Sequence, residues 1–234
     1  MARLYLFVEG RTEQTFADTV LSPHLASCGV YLRPAVQIAH ARRKGLAHRG
    51  GGRKYKPMRD DIERFTKQER ASDVFFSTII DLYAIAPDFP GLDDAERFRN
   101  DPYQRVRSLQ EAWAVDLPDR RFVPFLALHE FETYLLVKPE EFGLFYPDER
   151  TQIANLRKIV DAHASPELIN DGQQTAPSKR IIKEFPDYEF SKAAVGPQVA
   201  ELIGLSLMRK CCPHFDIWIR LLESLGSIEQ ESHA

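Results

Sequence analysis

Cysteine is scarce: only Cys28, Cys211 and Cys212 occur in 234 residues, and two of them are neighbours. That excludes a disulfide-built scaffold, and adjacent thiols with one nearby histidine, His214, do not make a recognisable zinc set. With Phe215 and Trp218 alongside, these residues are expected to pack in the core under a last helix. No window holds the roughly 18 consecutive apolar residues that a membrane span needs. The N-terminus opens directly on a strand-like LYLFV at 4–8 with no signal peptide, so a cytoplasmic, membrane-free protein is expected. Charge of one sign is also lacking. Thirty-one Lys+Arg oppose 34 Asp+Glu, for a net charge of −3 and a pI near 6.2. Nucleic acid could therefore be met only through a local basic patch. There is no internal repeat, no low-complexity tract and no G-x-x-x-x-G-K-[ST] loop, which excludes ATP hydrolysis by that route.

What is present is ordinary globular usage, 44% hydrophobic and 28% charged. LYLFV (4–8) reads as a strand covered on both faces, followed by a helix over 12–26 that Pro23 should kink or end. A second strand is expected over 30–38, with Pro34 favouring an edge or bulge, and a helix from Pro57 to about Arg70. DVFFSTII (73–80) is the clearest buried strand, 84–94 a loop, 95–115 a helix split at Pro102, and RFVPFLAL (121–128) a fourth strand. Helical periodicity then runs through 148–164, 178–185, 192–204 and 213–225. The expected fold is α/β, with a mostly parallel four-stranded sheet flanked by helices over 1–135 and a helical C-terminal extension over 136–234.

In such sheets ligands sit outside the carboxyl ends of the strands. There the polar residues collect: Glu9 after the first strand, Asp81 after the third, and His129, Glu130 and Glu132 after the fourth, with Glu13 in the first turn of the first helix. Clustered carboxylates repel unless cations neutralise them, and hard oxygen donors suit Mg²⁺ or Mn²⁺. Each acid alone also has a structural use, as a helix-dipole partner or a loop starter. Between 40 and 56 the chain reads HARRKGLAHRGGGRKYK. Arg42, Arg43, Lys44, Arg49, Arg53, Lys54 and Lys56 there could track a phosphate backbone, with Tyr55 stacking on a base. A solvated connector is the alternative.

VEGRTE (8–13) and TIIDLYAI (78–85), each following a strand, resemble the Toprim fold shared by type IA and II topoisomerases, bacterial primases and OLD-type nucleases. Together with DFPG (88–91), HEFE (129–132), PSKR (177–180) and C-P-H-F (212–215), they resemble the bacterial domain-of-unknown-function family four-two-seven-six. The resemblance implies metal-dependent phosphodiester chemistry on DNA or RNA, in a mobile-element or phage-defence setting with a partner ATPase. It makes Glu9 the Toprim glutamate, Glu13 the second acid of that turn and Asp81 the first aspartate of the D-x-D, with Glu9, Glu13, Asp81, Glu130 and Glu132 as metal ligands. Tyr83 stands where the second aspartate belongs, and Glu130 or Glu132 is the candidate replacement. Glu9 or Glu13 would act as base. Lys179 or Arg180 would offset charge on phosphorus, and His129 would orient a water or donate to the leaving oxygen. Two other readings stay open: a degenerate nucleic-acid-binding or regulatory subunit of an ATPase complex, and a small-molecule phosphohydrolase.

Overall fold

Strand β1 (Ala2–Val8) feeds α1 (Arg11–Phe16) across a two-residue turn. The computed structural model describes residues 1–38, 54–169 and 175–231. The helical run spans 11–27, close to the expected 12–26: α1 passes through a π turn at Ala17–Leu21 into α2 (Ser22–Ser27), so Pro23 sits at the start of a new helical segment. The π turn absorbs the missing proline N–H without a break in the rod. β2 (Val30–Leu32) and β3 (Val36–Gln37) then lie end to end along β1, separated by the segment that holds Pro34.

α3 (Tyr55–Gln68) leads to β4 (Val74–Asp81), and the 82–101 connection includes one helical turn, α4 (Leu92–Ala95). α5 (Pro102–Asp116) starts where Pro102 was expected to divide the helix, with the Asp101 side chain accepting the Gln104 amide at 3.0 Å as cap. The expected fourth strand is two short pieces, β5 (Phe122–Val123) and β6 (Leu126–Ala127), interrupted at Pro124. Thr78 bridges the gap: its Oγ1 accepts the Phe125 amide and donates to the Phe125 carbonyl, both at 2.8 Å.

All strand pairs are parallel, in the order β2-β1-β4-β5, with β3 also on β1 and β6 also on β4. The chain is thus α/β, its six short strands making four rows. Each face of the sheet has its own core. Phe7, Phe76 and Ile80 meet α3 and α5 through Met58, Ile62, Leu109 and Trp113. Leu4, Leu6, Val8 and Ile79 meet α1, α2 and the C-terminal helices through Phe16, Leu25, Val199, Phe215 and Trp218.

After β6 come 3₁₀ turns at Phe131–Val137 and Pro139–Leu144, then α6 (Arg150–Asp161), α7 (Pro177–Glu184), α8 (Tyr188–Ile203), α9 (Leu205–Cys211) and α10 (Pro213–Glu231). Cys212 and His214 are buried as expected, the imidazole stacking on Phe125 at 5.0 Å and Trp218 on the same ring at 4.3 Å. Glu167, fully buried, accepts the His214 and Phe215 amides at 3.0 Å and so caps α10 from a distant segment. No helix among the described residues is long and apolar enough to cross a membrane.

Candidate metal centre

The register of the sheet brings the acidic strand ends together. Val8 pairs with Ile79 and Asp81 with Ala127, so the residues following β1, β4 and β6 emerge on one edge. Four of the five carboxylates are each held by a backbone amide of another segment or turn. Glu9 Oε1 accepts the Asp81 N–H at 2.9 Å, and Asp81 Oδ1 accepts the Phe131 N–H at 2.9 Å. Glu13 folds back so that Oε2 accepts the Gly10 N–H at 2.9 Å, half of a capping box at the start of α1. Glu130 Oε2 accepts the Ser178 N–H at 2.9 Å and thereby caps α7, the helix that carries PSKR.

The electrostatics follow from this crowding. Loss of water pushes the Asp81 carboxyl well above the ordinary aspartate range, and the charges of Glu9, Glu13, Glu132 and Glu130 push it further. Burial also raises Glu132, against the pull of Lys192, whose Nζ is 3.1 Å from Glu132 Oε1. Glu130 precedes, and Glu132 lies in, the 3₁₀ helix that begins at Phe131, and the charges of both add to the rise at Asp81.

The other expected residues fall into different places. His129, the only non-glycine residue with positive φ (71°) among those described, is buried, with Nε2 2.9 Å from the Glu167 carbonyl. Burial lowers its pKa to about 4, so the ring is neutral and ties this segment to Glu167. Tyr83 lies against that ring, centroids 5.7 Å apart. Lys179 is exposed on the first turn of α7, and Arg180 Nε donates to the Thr175 carbonyl at 2.8 Å. Arg42, Arg43, Lys44, Arg49 and Arg53 lie outside the described residues. Lys54 is exposed and Lys56 pairs with Asp60 at 2.7 Å. Tyr55 corrects the stacking expectation: its ring is buried edge-on to Phe89, and its hydroxyl donates to Asp116 at 2.6 Å. Lys192 was missed because it sits mid-helix outside any motif; only its i−4 tyrosine hinted at a shared face.

The donor set is all oxygen and over-charged, which fits a hard divalent cation. Among the described residues, the donor atoms that gather within 4.8 Å of one another belong instead to His24, Cys28 and Glu223. The strand-end acids are spread more widely. Mg²⁺ commonly binds through one or two carboxylates and keeps several waters, which suits such spacing. The His24 group lies at the opposite end of the sheet, just before Gly29, whose carbonyl accepts the Ala2 amide. Arg209 fills it, with Nη1 2.5 Å from Glu223 Oε1 and Nε 2.6 Å from Asp216 Oδ1. A guanidinium already balances that carboxylate, so this is an ion-pair network.

Neither the curated proteins nor the solved structures compared with this sequence offer a match. The family model described as "Domain of unknown function (DUF4276)" matches residues 8–223, from the last residue of β1 into α10. The chain therefore belongs to the DUF4276 family, as its VEGRTE, HEFE, PSKR and C-P-H-F segments led one to expect.

Proposed function

We propose that the chain is a divalent-metal-dependent hydrolase of phosphodiester bonds in DNA or RNA, working in the cytoplasm. The observation that carries this reading is the Asp81 carboxyl, raised by burial and by four neighbouring acids at the carboxyl edge of a parallel sheet. Such crowded charge is costly unless a cation is part of the working state. Mg²⁺ or Mn²⁺ there would supply polarisation of a phosphoryl oxygen and activation of water. Glu9 and Asp81 would hold the ion, with Glu13, Glu130 and Glu132 around them. The amides of Asp81, Phe131, Gly10 and Ser178 orient four of these carboxylates. The likeness of VEGRTE and TIIDLYAI to Toprim segments supports the same chemistry, and the basic 40–56 stretch supports a nucleic-acid substrate. A phage-defence or mobile-element role with a partner ATPase is part of the proposal and rests on that likeness alone.

A second reading is favoured by Tyr83, which stands in the place of the second Toprim aspartate. In it the chain is a non-catalytic nucleic-acid-binding or regulatory subunit. One assay separates the two: cleavage of labelled single- and double-stranded DNA and total tRNA with Mg²⁺ or Mn²⁺, for the wild type, Glu9→Ala and Asp81→Ala. The nuclease reading expects metal-dependent cleavage lost in both variants. A wild type inert on all three substrates with either metal would overturn it.

A further inference from the structure

Helix α8 comes from the C-terminal layer, yet it lies against the acid cluster. Tyr188 and Lys192 stand four apart and therefore share one of its faces. The Lys192 ammonium reaches Glu132 at 3.1 Å and lies 5.9 Å from the centroid of the Tyr188 ring. Gly196, one turn further on, sets how closely α8 approaches α1: a Cβ there would come within 3.0 Å of the Tyr188 hydroxyl and 3.4 Å of Thr12 Cγ2. Thr12 directly precedes Glu13.

Tyr188 is completely buried, and its hydroxyl has no hydrogen-bond partner among the described residues. Burial first, then the charges of Glu132, Tyr146, Glu13 and Glu130, hold that hydroxyl well above the ordinary tyrosine range. A buried O–H without a partner is costly, and it is rare in native proteins unless a second state or a ligand supplies the acceptor. The acids themselves are spread more widely than three direct ligands of one ion. Orphaned donor and spread acceptors are the two halves of one unfinished arrangement.

We propose that α8 is the arm that completes the site. When a cation draws the acids together, the Tyr188 hydroxyl donates to Glu13 or Glu132 and fixes it, and Lys192 exchanges Glu132 for a phosphate oxygen of the nucleic acid. This rests on the nuclease reading and adds two roles to it. Tyr188 is a positioning residue, and Lys192 is the cation that faces substrate, in place of the exposed Lys179. Glu132 is what makes the exchange possible, because an acid engaged by a divalent ion no longer needs the ammonium.

The two roles separate in binding measurements that need no turnover. Mn²⁺ affinity is read by titration calorimetry, and binding of a 5′-phosphorylated single-stranded dodecamer by fluorescence anisotropy in Ca²⁺, for the wild type, Tyr188→Phe and Lys192→Met. Tyr188→Phe is expected to melt no lower than the wild type, since it removes an unpaired hydroxyl, and to bind Mn²⁺ about tenfold more weakly, the worth of one hydrogen bond to a carboxylate. Lys192→Met is expected to keep or gain Mn²⁺ affinity while losing about tenfold in oligonucleotide affinity. Unchanged Mn²⁺ affinity in Tyr188→Phe, or unchanged oligonucleotide affinity in Lys192→Met, would overturn the inference and leave the nuclease reading standing. A buried water satisfying Tyr188 would give the first of these results. A wild type that binds no Mn²⁺ would remove both.

Discussion

Glu9 reaches from the end of β1 to the backbone of Asp81, its Oε1 accepting the amide at 2.9 Å, so the contact that joins two strand ends also sets two carboxylates side by side. At neutral pH this costs stability. The folded-state pKa of Asp81 lies above its unfolded value, so the stability tied to its proton is present at low pH and lost as pH rises through the folded pKa. Asp81→Asn keeps an acceptor for the Phe131 amide and removes the charge. It should raise the melting midpoint at pH 7.5 by about 2–4 °C, or roughly 1 kcal/mol. The gain should fade toward pH 4, and cleavage should be abolished. A lower midpoint at pH 7.5 would show that the charge is compensated.

Glu167 and His214 meet at the start of α10 and carry opposite pH signatures. Burial raises Glu167 from 4.5 to about 7, so its contribution is lost as pH climbs from 4.5 to 7. Burial lowers His214 from 6.5 to about 4, so its contribution is complete above 6.5 and lost as pH falls toward 4. Glu167→Gln offers one acceptor to two amides and should destabilise, with a deficit that shrinks by roughly 2 kcal/mol between pH 5 and 8. The deficit of His214→Phe should instead shrink by about 2 kcal/mol from pH 8 down to 5. Chemical denaturation at three pH values reads both. Parallel, pH-independent deficits would mean that neither group titrates abnormally.

Much of this site could be read in the chain. LYLFV and DVFFSTII are apolar at successive positions because the sheet is covered on both faces, and the acids follow them at once, so Glu9 and Asp81 stood out. Pro34 announced an edge or bulge, but RFVPFLAL read as one unbroken strand; its split at Pro124 shows only in the folded chain, where Thr78 takes over the ladder at Phe125. Lys192 and Tyr188 fell outside every motif, because the apolar residues of helix 188–203 are spread around it and only the folded chain lays that helix on α1, with Lys192 beside Glu132. Glu167 was equally silent: a capping carboxylate 47 residues from the helix it caps leaves no local pattern.

Gly226 on α10 sits against the carbonyl of Cys28, and a Cβ there would lie 2.1 Å from that oxygen. Neither backbone is a flexible side-chain end that can step aside. Gly226→Ala should cost roughly 3 kcal/mol, the upper range for overpacking. A urea midpoint equal to wild type would mean that α10 can shift outward freely.

Arg209 joins α9 to both ends of α10's inner stretch, through Asp216 at 2.6 Å and Glu223 at 2.5 Å, with His24 also 2.6 Å from Glu223. All four side chains are less than a third exposed. Arg209→Met leaves Glu223 with His24 alone and Asp216 with the exposed Arg220 alone, and should lose about 2 kcal/mol. A urea midpoint equal to wild type would mean that the network adds nothing beyond what water supplies to its separate members.

Because α10 supplies Phe215, Trp218, Ile219 and Leu222 to the same core as Leu4 and Leu6, the cover that α1 and α2 begin on that face of the central strand is not complete until residue 222 has been made. A ribosome exposes β1 first and its lid last. The sheet's inner rows therefore wait through most of translation as partly covered parallel strands, the topology slowest to form and most open to misassembly. Nascent-chain fragments ending before α10 should bind chaperones and resist folding, although every acid of the cluster is already in place in their sequence.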